Sequence, residues 1–261
     1  MSGGAIPISW VDMLLASSFI FVSAAISLFT GLGLHRSLLW AALRGILQLT
    51  MLGFAIRWIF SISSPLIVLG FIALMLVFAN HTMLSRVRRP PKGLYFRGLA
   101  ALAVPGVTVT FAVTTMVIGV DPATDPRYLL PLAGMVIGNS MSAMSVVLDR
   151  LYSDLRANSG RIATLLALGA KPREAVWREA QQALRAGMIP TLNSMSAAGL
   201  VFIPGMMTGQ ILSGTDPSIA ARYQVVILLM ISAATAMGSV LAIYIGYRRS
   251  FSASDVFTLD R

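Results

Sequence analysis

Seven apolar runs, at 10–30, 38–60, 65–84, 99–119, 128–149, 187–213 and 223–246, take up most of the 261 residues. A bilayer core needs about 20 mostly apolar residues per spanning helix. Inside lipid every backbone N–H and C=O must be satisfied within the protein, which a helix does within its own run. The chain is therefore expected to be an all-α integral membrane protein of about seven transmembrane helices. Only a basic loop at 85–98, a polar stretch at 150–186 and short tails remain outside them, which suggests one membrane domain over 1–261. No Lys or Arg precedes the first run, and it is longer than the core of a secretory signal, so it reads as a retained span.

A net charge of +10 would suggest a nucleic-acid partner in a soluble protein. The placement of the charges argues otherwise. Sixteen of the 20 Lys and Arg residues fall in four segments: Arg36; Arg86, Arg88, Arg89, Lys92 and Arg97; the seven from Arg150 to Arg185; and Arg248, Arg249 and Arg261. The intervening loops hold only Arg127 and Arg222, while Arg44 and Arg57 lie within the second run. Cytoplasmic loops carry the excess of Lys and Arg, so the alternation places the N-terminus outside and the C-terminus in the cytoplasm, with lipid and not nucleic acid around the chain.

Several chemistries are missing. There is no Cys, hence no disulfide framework or thiolate metal site. The phosphate-cradling loop requires Gly-Lys-Ser/Thr, and neither lysine, Lys92 or Lys171, has those flanks. His35 and His81 are the only histidines and cannot form the two-His helical zinc motif. Ser140 is the nearest candidate nucleophile, but no His lies at matching depth. These features point away from an enzyme and from any cofactor bound by this chain, and toward transport, scaffolding or signalling. A self-sufficient channel or secondary transporter would ordinarily carry an ionisable relay at mid-membrane; Asp12 and Asp149 lie at span ends.

Within 150–186, Leu148, Leu151, Leu155, Ile162, Leu165 and Leu166 recur near helical spacing. Gly169 is a stop signal and Pro172 suits the first turn of a new helix, predicted to run to about Arg185. Val176, Ala180 and Leu184, with Trp177 and Ala183, form its apolar stripe; Arg173, Glu174, Arg178, Glu179 and Arg185 are expected elsewhere. A helix, a tight turn and a helix make an elbow beneath the membrane. Such an elbow can transmit a push, whereas a helix lying on headgroups needs no turn.

The pentapeptide NSMSA occurs at 139–143 and again at 193–197. Small polar residues let membrane helices approach closely and bond across, which makes Ser140, Ser142, Ser194 and Ser196 candidates for packing between the fifth and sixth helices. Alternatively, Asn139, Ser140, Met141, Met144, Asn193 and Met195 line a route, with amide and hydroxyl oxygens and thioether sulfurs offering weak exchangeable contacts. Pro204 followed by Gly205 predicts a break in the sixth span. Met206, Met207 and Gln210 follow it, and TDPSIAARYQ at 215–224 is a candidate outer gate. Arg44 and Gln48, four residues apart in the second span, share a face expected to point inward.

The run IATLLALGAKPREAVWREA at 162–180 resembles the coupling loop of ABC transporter permeases, with Gly169 at the characteristic glycine position and Arg161, Ile162 and Ala163 where Glu-Ala-Ala would begin. MVIGNSM at 135–141, LALGAKP at 166–172, GLVFIPGMMTGQILSGTDP at 199–217 and RYQ at 222–224 together resemble the FetB family of permeases across almost the whole chain. That resemblance implies a multi-pass permease of the bacterial inner membrane, forming a homodimer and driven by a separate FetA-type ATPase that holds the ATP and Mg. It implies iron export; the plant relatives are associated with aluminium tolerance and proposed UDP-glucose transport. The coupling residues it points to are Leu165, Leu168, Gly169, Ala170, Pro172, Glu174, Val176 and Trp177, and the substrate route would include Asn139, Ser140, Met141, Met144, Asn193, Met195, Pro204, Met206, Met207 and Gln210.

Overall fold

The computed structural model describes residues 8–62, 64–91, 93–122, 124–252 and 256–258. Lys92 and Arg261, two of the cations that set the expected orientation, lie outside the described residues. The chain divides into two compact units, residues 1–63 with 212–214, and residues 64–211 with 215–261.

The first unit holds α1 (Trp10–Phe29) and α2 (His35–Ile62), packed together and joined by a short loop. A capping box opens α1: the Ser9 hydroxyl accepts from the Asp12 N–H at 3.2 Å, and the Asp12 carboxylate accepts from the Ser9 N–H at 2.9 Å. Asp12 is thereby occupied at a helix end. Arg44 and Gln48 are exposed on α2.

The second unit contains α3 (Pro65–Ser85), α4 (Leu94–Ala112) running into a π turn at Val113–Ile118, α5 (Pro126–Ala157), α6 (Ser159–Ala167), α7 (Pro172–Ala175), α8 (Trp177–Ala197), α9 (Gly205–Leu212) and α10 (Pro217–Arg248). Helix α5 is central, with α3, α4, α8 and α10 packed on it. Leu132 and Val136 of α5 meet Ile227, Met230 and Ala234 of α10 in a buried cluster. Elsewhere small residues set the helix spacing. A Cβ on Gly187 of α8 would collide with the Val147 side chain and lie 2.9 Å from the Ala143 carbonyl oxygen, both on α5. Close approach of this kind is what small residues permit between membrane helices.

Helices α5 and α10 begin earlier than their apolar runs because each opens on Asp-Pro. Asp125 accepts from the Arg127 N–H and Asp216 from the Ser218 N–H, both at 2.8 Å, while Pro126 and Pro217 occupy the first helical position. Most of the candidate gate, 215–224, is the cap and first turns of α10.

Among the described residues, six helices are long and apolar enough to cross a membrane. The sixth run, 187–213, does not form one helix. Helix α8 stops at Ala197, residues 198–204 leave the helix, and α9 then runs only from Gly205 to Leu212. Pro204 supplies no N–H and biases its predecessor away from helix, and Gly199 takes a φ of +83° as its N–H bonds the Phe202 carbonyl at 2.9 Å. The predicted helix from Pro172 to Arg185 is also redrawn. Its first turn is α7, a cap at Val176 interrupts it, and the remainder joins the lower part of the sixth run as α8.

At one end of this unit the basic segments converge. Asp149 of α5 accepts from the Arg88 N–H at 2.9 Å, and the Arg156 guanidinium donates to the carbonyls of Arg89 at 2.8 Å and Arg88 at 3.3 Å. The Arg249 side chain lies against Gly93. Three segments that the charge alternation assigns to one side of the bilayer thus meet in space.

Candidate functional site

The elbow is built from its turn outward. At the end of α6 the Ala170 N–H bonds the Leu165 carbonyl and the Gly169 N–H bonds the Leu166 carbonyl, each at 3.0 Å. This crossed pair is a Schellman cap, which needs a left-handed residue; Gly169 supplies it with a φ of +90°. Lys171 and Pro172 then open α7, and the Glu174 carboxylate accepts the Lys171 N–H at 2.9 Å. Stop and restart are both local in origin.

A long-range tie closes the elbow. Arg161 of α6 donates to both carboxylate oxygens of Glu179 of α8, at 2.7 and 2.6 Å, and to the Ala175 carbonyl at 3.2 Å. Glu179 is 1% exposed. It lies inside the elbow, not on the polar side where the sequence reading placed it. Arg161 stands at the start of the region resembling the ABC coupling loop, and its role is to hold α6 against α8.

The coupling residues expected from the resemblance separate into two groups. Leu168, Gly169, Glu174 and Trp177 are exposed, with Leu168 at 79% and the Arg173 guanidinium 5.5 Å above the Trp177 ring. Leu165, Ala170 and Pro172 are half-buried, whereas Val176 is buried within its own unit and serves packing.

The two NSMSA copies also divide. In the first, Ser140 turns inward, its hydroxyl 3.4 Å from that of Thr235 on α10, and Met144, one residue beyond the copy, sits against Gly238. Asn139 and Ser142 face outward, their side chains donating to the carbonyls of Met135 and Gly138 one turn earlier, at 2.7 and 3.0 Å. In the second copy Asn193, Ser194 and Ser196 are exposed and Met195 is half-buried. Gly187 is thus a close approach between α5 and α8, and the inward serine of the first copy bonds to α10. Met206 packs on the cluster of α5 and α10, while Pro204, Met207 and Gln210 are half-buried. Among the described residues no three His, Asp or Glu side chains gather.

Six helices of spanning length, those of the second unit packed closely through glycines on α5, define a multi-pass α-helical membrane protein. The chain belongs to the uncharacterised protein family UPF0014, whose model matches residues 10–251. It is 34% identical over 97% of its length to a UPF0014 membrane protein of Synechocystis, covering 97% of that chain. It is 32% identical over 89% of its length to the protein ALUMINUM SENSITIVE 3 of Arabidopsis thaliana, of which it covers 84%. It is 29% identical to the probable iron export permease protein FetB of Escherichia coli, with 92% of each chain covered. No solved structure matches the chain.

Proposed function

We propose that the chain is the membrane-spanning permease subunit of an ABC transporter in a bacterial inner membrane, acting as a homodimer with a separate FetA-type ATPase to export a metal ion, iron. The observation that carries this reading is the tip of the elbow. Leu168 stands 79% exposed on a turn fixed by Gly169, and Trp177 is exposed at the start of α8, at the end of the unit where the basic loops meet. Apolar side chains held out on a braced polar surface mark a docking site for another protein. The relative named as a probable iron export permease supports the metal substrate.

ATP hydrolysis by the ATPase, co-purified with this chain in lipid vesicles, tests the proposal with ferrous iron and UDP-glucose added separately. Ferrous iron is expected to stimulate hydrolysis. Stimulation by UDP-glucose alone would reassign the substrate, and failure of any ATPase to co-purify would replace the proposal with a self-sufficient channel or transporter. Trp177→Asp is expected to abolish the stimulation while leaving the protein's thermal unfolding unchanged.

A further inference from the structure

Four cations outside the coupling set surround one cavity. It has a volume of about 700 Å3 and opens at the basic end of the second unit, between Arg97 near the start of α4, Lys171 and Arg173 at the elbow, and Tyr244, Tyr247 and Arg248 at the end of α10. Among the described residues no acidic side chain lines it; the nearby Glu174 carboxylate is occupied by the Lys171 N–H. The Arg248 guanidinium lies 5.3 Å from the centre of the Tyr244 ring, and the Tyr244 and Tyr247 rings meet edge to face at 5.6 Å. Part of the charge is thus held on a rigid aromatic support.

Four like charges around one space repel one another until an anion enters. The depth of the site indicates the kind of anion. Tyr and Arg at the ends of spanning helices occupy the headgroup layer, and basic pockets between transmembrane helices there take phospholipid headgroups. Two exposed rows lead from the cavity toward mid-membrane: Val240, Met237 and Ala233 below Tyr244 on α10, and Ala100 and Val104 below Arg97 on α4. The two helices pack closely, Gly238 facing the Ala101 carbonyl. A soluble phosphate compound could use the cations but not the apolar rows.

We propose that this cavity binds the headgroup phosphate of an anionic phospholipid, with its acyl chains along the exposed rows of α4 and α10. The site stands independently of the transport reading. The test uses the full chain in nanodiscs of equal phosphatidylglycerol and phosphatidylcholine, transferred to detergent, with retained lipid counted by native mass spectrometry. The parent is expected to retain phosphatidylglycerol in preference to phosphatidylcholine, and Arg97→Gln with Arg248→Gln to lower that retention by on the order of tenfold. Arg222→Gln, at the other end of α10, is expected to retain it as the parent does. Lys171→Gln with Arg173→Gln gives a second reading should the first pair not fold. Equal retention of the two lipids, or no loss in a folded double variant, overturns the proposal. Displacement of the lipid by millimolar inorganic phosphate overturns it in favour of a soluble phosphate.

Discussion

A charge with almost no solvent exposure must be compensated, and in Glu179 the compensation comes from one residue, Arg161, on another helix. Removing one member of a buried pair leaves the other uncompensated, at a cost of about 3–5 kcal/mol. The Arg161 side chain retains 36% exposure, which lets water share the load and moves the expected cost of Arg161→Ala to about 3 kcal/mol. Thermal unfolding in detergent checks this, with Arg161→Leu plus Glu179→Leu expected to recover most of the loss. A single variant as stable as the parent would mean that the elbow is held by packing alone. The position of Glu179 was legible in the spacing, because 176, 179, 180 and 183 share one helical face; its charge suggested the opposite side. Its partner 18 residues away was not legible, since nothing local in the sequence registers a pairing between helices. Asn139 and Ser140 pose the same difficulty one residue apart. Under the transport reading Asn139→Leu is expected to lower transport severalfold with unfolding unchanged, and Ser140→Ala to alter unfolding more than transport. Paired transport and melting measurements on the two variants separate the roles.

At the scale of elements, two glycines do different work. Gly187 provides room: any Cβ there meets Val147 and the Ala143 carbonyl, so Gly187→Ala must push α8 away from α5. Overpacking of this kind costs about 1–3 kcal/mol, and a fall in melting temperature with Gly187→Leu worse than Gly187→Ala is the expected series. Gly169 provides handedness, since nothing lies within 4 Å of a Cβ built on it. The left-handed conformation costs a side-chain-bearing residue about 1–2 kcal/mol. Gly169→Val is therefore expected to loosen the elbow, seen as faster proteolysis between α6 and α7, while the spanning helices keep their protection from hydrogen exchange. Gly169 was readable because Gly followed shortly by Pro is a local stop and restart. The merging of the lower sixth run with the elbow into one α8 was not, because an apolar-run count cannot register a helix that begins among polar residues and continues into lipid. The Asp-Pro openings of α5 and α10 were present in the sequence and follow directly from capping chemistry.

For the whole molecule, the decisive feature is backbone that leaves the helix within the sixth run. Residues 198–204 are non-helical, and Leu200 there is 91% exposed. Irregular backbone facing hydrocarbon leaves polar groups unsatisfied, so at membrane depth it persists only against protein or water. Asn139 and Ser142 on α5, and Asn193, Ser194 and Ser196 on α8, also carry polar groups on outward faces. A second copy presenting the same face would satisfy both and enclose a polar route between the two. The clustering of cations in alternate loops could be read from the chain alone, but which polar residues face outward is set by helix rotation, and rotation appears only once α10 has claimed Ser140 and Met144. The absence of cysteine makes the arrangement directly testable, because one introduced thiol reports one contact. Ser142→Cys, oxidised in native membranes, is expected to run as a disulfide-linked dimer, and Phe96→Cys, exposed on α4, as a monomer. The opposite result would move the interface to the α4 side and remove Asn139 and Ser142 from any shared route.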